Sequence, residues 1–275
     1  NGLDGDLVKA GTKLAILEYL TSGVTMMFDM YFARESIAQA AIDTGFRAAL
    51  VGCANDYGGT AQETADEYLR FTRLDPLITY RLGFHAEYTT SEPLLRDLAQ
   101  MVQSLRQPFY THLNETAAEV ERCVARSGMR TIEYLDSFGL FDFGGGGYHC
   151  VHLSEREIDI LQSRGMTAIT CPGSNMKLAS GVAPIYEYLR RGIPVAIGTD
   201  GAASNNCLDF FREMFLVTGL QKLRHGAEAV DATDVLTMAC GNGAYVCGFD
   251  DCDCLAAGKQ ADLILLDLNQ PNMQP

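Results

Sequence analysis

Residues 108–119 read PFYTHLNETAAE. The stretch opens as an apolar run, Pro108–Leu113, and turns near Asn114-Glu115 into helix-forming sequence. A short apolar run that feeds an amphipathic segment is the pattern of a buried parallel strand followed by its helix. His112 falls at the C-terminal end of that strand.

The same unit recurs along the chain. Apolar runs of 5–7 residues lie at Val24–Met30, Arg47–Gly52, Leu82–Ala86, Tyr148–His152, Thr167–Pro172 and Pro194–Asp200, with starts 19 to 40 residues apart. That spacing fits βα units. Between them the sequence reads as helix. Leu94, Leu95, Leu98, Met101, Val102 and Leu105 form one apolar stripe. Ser154 and Glu157 form a capping box, and Gly165 ends that helix. A later helix is expected to open at Asn205–Asn206 and run through Phe211 and Phe215. Gly144–Gly147 reads as a flexible connection ahead of the Tyr148–His152 strand. A last helix follows Asp231.

Seven β-then-α units imply a parallel α/β fold with right-handed crossovers. A doubly wound sheet and a (β/α)8 barrel both satisfy that pattern. No GxGxxG follows the first strand and no P-loop occurs, which weakens the nucleotide-binding sheet. Ala261–Leu268 breaks the rhythm and reads as a strand of a separate element. The expected division is a barrel over residues 1–250 and a small β element over 251–275.

The chain has 275 residues, a size suited to one barrel domain. Its net charge of −14 leaves no basic footprint for nucleic acid. No apolar run is long enough to span a membrane. Nine cysteines lack any CxxC pair and read as reduced thiols, which implies a cytoplasmic protein.

Three of the five histidines, His85, His112 and His149, sit at or near the C-terminal ends of the expected strands, and Asp200 occupies the same place on the seventh strand. In a barrel these ends form one rim, where active sites lie. Imidazole and carboxylate on one rim make a metal site. Glu115 can reach the same cavity and move protons, and it also suits the adjoining helix N-terminus. Asp200, between Gly198-Thr199 and Gly201, can bind a metal and accept a proton from water. His152 is expected in a loop and His225 on a helix surface.

These residues resemble the amidohydrolase superfamily, in its 5′-methylthioadenosine/S-adenosylhomocysteine deaminase and chlorohydrolase branch. The resemblance rests on Gly83–Thr89 (GFHAEYT), His112–Glu119 (HLNETAAE), Tyr148–Ser154 (YHCVHLS), Pro172–Pro184 (PGSNMKLASGVAP), Gly198–Leu208 (GTDGAASNNCL) and Gly258–Leu268 (GKQADLILLDL). It implies a metal-dependent (β/α)8 TIM barrel with a small appended β-sandwich, of which Ala261–Leu268 would be one strand. By it, His112 and Asp200 would ligate one divalent metal, zinc or iron, with no organic cofactor. Asp200 would also accept a proton. His149 would hold the attacking water, Glu115 would protonate the leaving amine, and His85 would touch a nucleoside. The implied reaction is hydrolytic deamination of adenosine, methylthioadenosine or S-adenosylhomocysteine. A sister hydrolase of guanines, pyrimidines or triazines is the alternative, and an inert barrel is a third reading. The expected partner is a small-molecule substrate, and a homo-oligomer is left open.

Two departures from the family pattern shape the expectations. The superfamily's first strand ends in His-x-His, and no His-x-His occurs here. The seven strands are therefore expected to lack the first one. The 275-residue chain by itself is expected to be inactive, with unpaired sheet edges at the strands starting at Val24 and Pro194. Second, homocysteine-binding members resemble one another in carrying arginines around Gly52–Thr60, which here reads GCANDYGGT. That favours uncharged, adenosine-like substrates.

Overall fold

A computed structural model describes residues 3–273. In chain order, α1 (Gly5–Thr21) leads to β1 (Met26–Asp29), α2 (Arg34–Thr44), β2 (Arg47–Val51), α3 (Ala61–Phe71) and β3 (Ile78–Ala86). A short 3₁₀ turn, Glu87–Thr89, precedes α4 (Glu92–Leu105), β4 (Phe109–Leu113), α5 (Ala117–Ser127), α6 (Thr131–Asp136) and β5 (Gly145–His149). There follow α7 (Glu155–Ser163), β6 (Met166–Thr170), α8 (Pro172–Lys177), α9 (Ile185–Arg190) and β7 (Val195–Ile197). The chain continues through α10 (Ala202–Asn205), α11 (Phe210–His225), α12 (Ala232–Ala239) and α13 (Gly241–Cys247).

All seven strands are parallel, and they pair in sequence order from β1 to β7. The sheet is curled. In a flat sheet Phe28 of β1 would lie roughly 14 Å from β4 and roughly 19 Å from β5, at ~4.8 Å per strand. Its ring is instead 5.1 Å from Tyr110 of β4 and 5.6 Å from Tyr148 of β5, centroid to centroid. Val51, Ile169, Ala196 and Val246 complete this interior cluster. The architecture is a TIM-barrel wall of seven strands, with helices outside burying the larger apolar core.

β1 and β7 are the outer strands of the sheet, and α13 packs against both. Val246 of α13 enters the barrel interior. Arg81 and Thr79 of β3 donate to the carbonyls of Tyr245, Val246 and Cys247, tying this helix to the N-terminal end of the strands. The edges expected at Val24 and Pro194 are therefore present, with a helix lodged against them.

Four local expectations need correction. The strand expected at Tyr148–His152 runs over Gly145–His149, so Gly145–Gly147 are wall rather than flexible loop, and only Gly144 of the four stays outside the strand. They are there because β5 is squeezed between its neighbours: a Cβ at Gly146 would stand 2.6 Å from the Thr167 carbonyl oxygen. The helix expected from Asn205–Asn206 is two helices, and Asp209, not an asparagine, caps the one through Phe211 and Phe215. A further helix, α13, follows the one capped by Asp231. Ala261–Leu268 forms no strand: no partner strand lies beside it among the described residues, and Leu263, Leu265 and Leu266 are exposed.

Asp29 ends β1 with its Oδ1 sealed from solvent and unpartnered. Burial, only partly offset by Arg34, pushes its carboxyl up to about 6. A raised carboxyl favours the protonated folded state, so this contribution is full below about pH 4 and is lost as pH rises through 6. Asp29→Asn is expected to match the parent near pH 4 and to be more stable at pH 7 by roughly 1–2 kcal/mol, discounted for the partial exposure of the residue. Urea unfolding at the two pH values checks this.

A candidate active site on the rim of the barrel

The strand-end residues converge as the barrel requires. The His85 and His112 ring centroids are 4.9 Å apart, and those of His112 and His149 are 5.6 Å apart. Glu115 Oε2 lies 3.8 Å from His149 Nε2. Asp200, just past β7, connects to the cluster through α8. His152 and His225 stay outside it. His152 donates from Nε2 to the Ser180 carbonyl in a loop, and His225 is exposed at the end of α11 against Tyr186.

The backbone at this rim is unusual. Asn114, His149, Cys150 and Asp200 all have left-handed φ, between 49° and 68°. Such conformations are costly away from glycine and collect at functional sites. Two of these turns carry rim side chains, His149 and Asp200, while Asn114 and Cys150 turn to buried partners, Glu157 and the Gly147 carbonyl.

Hydrogen bonds fix the histidine tautomers. His112 Nδ1 lies 2.7 Å from the His85 carbonyl oxygen, which only accepts, so Nδ1 carries the proton. His85 Nδ1 is 3.0 Å from Thr89 Oγ1, whose own proton goes to the Ala86 carbonyl. His149 Nδ1 is 2.8 Å from Asn175 Oδ1. All three rings thus hold a proton on Nδ1, and in the neutral ring this leaves the lone pair on Nε2, the state a metal or a water requires. Burial, then the neighbouring His149 and His85, push the His112 imidazole down to about 3. Burial also lowers His85, against the pull of Glu115. Both rings are neutral at physiological pH.

The carboxylates differ in surroundings. Burial works to raise Asp200, but Ser174 Oγ at 2.6 Å, the Gly201 amide at 2.6 Å and the nearby His149 hold it below the ordinary carboxylate range. Glu115 is partly exposed and accepts from Ser180 Oγ at 3.2 Å. Its backbone is set by Glu119, which accepts from the Asn114 and Glu115 amides at 2.9 and 3.0 Å. Burial pushes Glu119 itself up to about 7, despite those amides. Asn114 donates to buried Glu157, which Arg130 also contacts at 2.6 Å, so the loops after β4 and β5 are locked together.

Ser174, Asn175 and Ser180 are site residues for which the sequence reading assigned no role, although they lie in the quoted Pro172–Pro184 motif. The signal that finds Ser174 and Asn175 is their place just after the end of β6; Ser180 follows α8. A cleft of about 950 Å³ lies elsewhere, beside α4, α5 and α6, and its lining, including Glu87, Arg96 and Arg126, shares no residue with the cluster.

The donors present suit a divalent metal in kind: a neutral imidazole with a bare Nε2 and an ionised carboxylate. They fall short in number. Among the described residues no group of three or more His, Cys, Asp or Glu side chains is arranged to hold a metal ion.

Comparison with known proteins agrees with this geometry. The profile of the Amidohydrolase family matches residues 2–275. A 5-methylthioadenosine/S-adenosylhomocysteine deaminase of Pelotomaculum thermopropionicum is 39% identical over 271 residues, covering 96% of this chain and 63% of that protein. A 5′-deoxyadenosine deaminase of Methanothermobacter thermautotrophicus is 39% identical over 283 residues, covering 99% of this chain and 66% of that protein. The crystal structure of an adenosine deaminase from Xanthomonas campestris with bound zinc matches with a TM-score of 0.91 at 36% identity, covering 99% of this chain and 64% of that one. The chain thus spans just under two thirds of the length of these relatives. Curled seven-stranded wall, strand-end histidines and full-length profile match together place this chain in the amidohydrolase family.

Proposed function

We propose that this chain is the catalytic barrel portion of a metal-dependent hydrolase that deaminates an adenosine-like purine nucleoside and releases ammonia. The observation that carries it is the rim cluster: three histidines locked as Nδ1–H tautomers, with Glu115 and Asp200 beside them. The names of the relatives at 39% identity support the substrate class. The boundary near residue 250, with a separate segment beyond it, belongs to the same proposal.

His112 and Asp200 would hold the metal, with zinc favoured by the zinc-bound adenosine deaminase structure. When bound, such an ion makes water acidic near neutral pH, lowering its pKa from 15.7 toward ~7. The chain's own residues carry the proton traffic. His149 Nε2 accepts from the attacking water and orients it toward the amino-bearing ring carbon. Asp200, ionised by its two hydrogen bonds, takes the water's proton. Glu115 delivers a proton to the adjacent ring nitrogen and recovers one from the added hydroxyl, while the proton taken by Asp200 passes to the amine, which leaves as ammonia. His85 Nε2 faces the nucleoside. With two ligands among its described residues, the 275-residue chain by itself is expected to bind zinc weakly and to release little ammonia; zinc titration and an ammonia assay check both.

Selectivity follows from Arg34. Its guanidinium stands at the Gly52–Thr60 segment, 2.9 Å from Cys53 Sγ. It is already spent on Glu67 through two 2.8 Å hydrogen bonds. Among the described residues a substrate carboxylate finds no unpaired cation at this segment, and one such bidentate pair is worth roughly 1.5–3 kcal/mol. Protein of the relatives' length, loaded with zinc, is expected to turn over methylthioadenosine and 5′-deoxyadenosine with kcat/KM about tenfold or more above S-adenosylhomocysteine. Guanine, cytosine and chlorinated triazines should release nothing. Turnover of those three, with the nucleosides inert, would replace the nucleoside assignment with that of a sister hydrolase.

A further inference from the structure

We infer that Asn175, on the first turn of α8, is a positioning residue that sets the protonation pattern of His149 and thereby the direction of its lone pair toward Glu115. The inference rests on the rim being the reaction site.

Asn175 and His149 are both buried, and their contact is side chain to side chain at 2.8 Å. An amide oxygen cannot donate, so Asn175 Oδ1 leaves His149 only the Nδ1–H tautomer. In the neutral ring the Nε2 atom, 3.8 Å from Glu115 Oε2, is then the acceptor. Were the ring in the other tautomer, Nε2–H would point at a carboxylate and hold no water by its lone pair.

The other end of the same amide bears on the direction of this contact. Asn175 Nδ2 is buried and has no hydrogen-bond partner. Buried amide donors are nearly always paired, and an exception at a site calls for a functional account. The amide keeps its oxygen on His149 while its nitrogen goes unpaired.

The rest of α8 is held firmly enough to make that aim reproducible. The adjacent Ser174 donates to Asp200 Oδ2 at 2.6 Å. The Gly173 amide donates to buried Glu213 at 2.8 Å. Glu213 also accepts from Asn205, which donates to the Thr199 carbonyl beside Asp200. One helical turn therefore supports residues from β5 and β7 together, with α11 as its anchor.

The test is nitrogen NMR of histidine-labelled, metal-free protein of the relatives' length at neutral pH. The His149 signal is assigned by its loss in His149→Asn. The expected wild-type result is a proton on Nδ1; a proton on Nε2 overturns the inference, whatever the activity. In Asn175→Ala the His149 signal should move toward a mixture of tautomers, and kcat of the zinc enzyme should fall 10–100-fold with KM within about threefold, the usual cost of losing a residue that orients a site histidine. Asn175→Asp keeps an acceptor at the same place and should retain the Nδ1–H signal and more kcat than the alanine variant. Should alanine keep both the tautomer and kcat, Asn175 is packing only. Should Asn175→Ala fail to fold, the wild-type and aspartate spectra still decide. Wild-type protein that shows the Nδ1–H signal yet deaminates no nucleoside would remove the proposed reaction and leave the positioning of His149 standing.

Discussion

Glu115→Gln is expected to lower kcat by roughly 10²–10⁴-fold in zinc-loaded protein of the relatives' length, the usual contribution of a positioned proton-transfer group. Glutamine keeps the size of the side chain and can still accept from Ser180. The Glu119 clamp on the Asn114–Glu115 turn involves the backbone, so it survives the change. What is lost is the ability to take up and give back a proton 3.8 Å from His149 Nε2. Zinc content and KM should therefore stay within about threefold of the parent, with kcat carrying the loss. A glutamine variant retaining more than a tenth of the parent kcat would remove Glu115 from the proton path.

The second large effect is on folding. Gly145 opens β5 at a φ of +126°, and a Cβ there would fall on the carbonyl oxygen of Phe109 in β4. The clash is with backbone that is itself paired in the sheet, Phe109 with Gly145, so nothing flexible can give way. Gly145→Ala is expected to cost more than about 4 kcal/mol, a large share of the ~5–15 kcal/mol that holds a domain together. Gly45 supplies the control. It too has positive φ, +69°, but a Cβ there meets nothing within 4 Å. Gly45→Ala should cost only about 1 kcal/mol, through backbone strain alone. Soluble yield and urea unfolding distinguish the two; equal stabilities would mean β5 is not packed as described.

These glycines also show where sequence reading stops. β4 was legible because Phe109, Tyr110 and Leu113 are buried, and an apolar run declares burial in one dimension. β5 was not. Gly145–Gly147 has no side chains to declare anything, and its strand character comes from the closeness of β4 and β6, which is set by chain segments far away in sequence. Ala261–Leu268 fails in the opposite direction. Its leucines write a strong strand pattern, yet a strand exists only through a partner, and pattern does not supply one.

The candidate site divides the same way. His85, His112 and Asp200 were legible because each stands at or near the end of a readable strand, and His149 because the apolar run Tyr148–His152 overlaps the end of β5; a barrel gathers strand ends. Ser174, Asn175 and Ser180 are small polar residues after a proline, a context that reads as ordinary turn chemistry. Their work lies in contacts to Asp200, His149 and Glu115 over 26 to 65 residues of separation. Arg34 was missed for the same reason: it follows β1 in sequence but stands beside Cys53, after β2.

The most direct measurement is the fate of the purine ring in labelled water. Zinc-loaded protein of the relatives' length is incubated with 5′-deoxyadenosine or methylthioadenosine in ¹⁸O-water. The expected result is one ammonia released per nucleoside consumed, and a hypoxanthine nucleoside carrying one labelled oxygen at the carbon that lost its amine. Nucleoside recovered unchanged, or consumed by cleavage of the sugar–base bond with the amine intact, would contradict hydrolytic deamination at this rim.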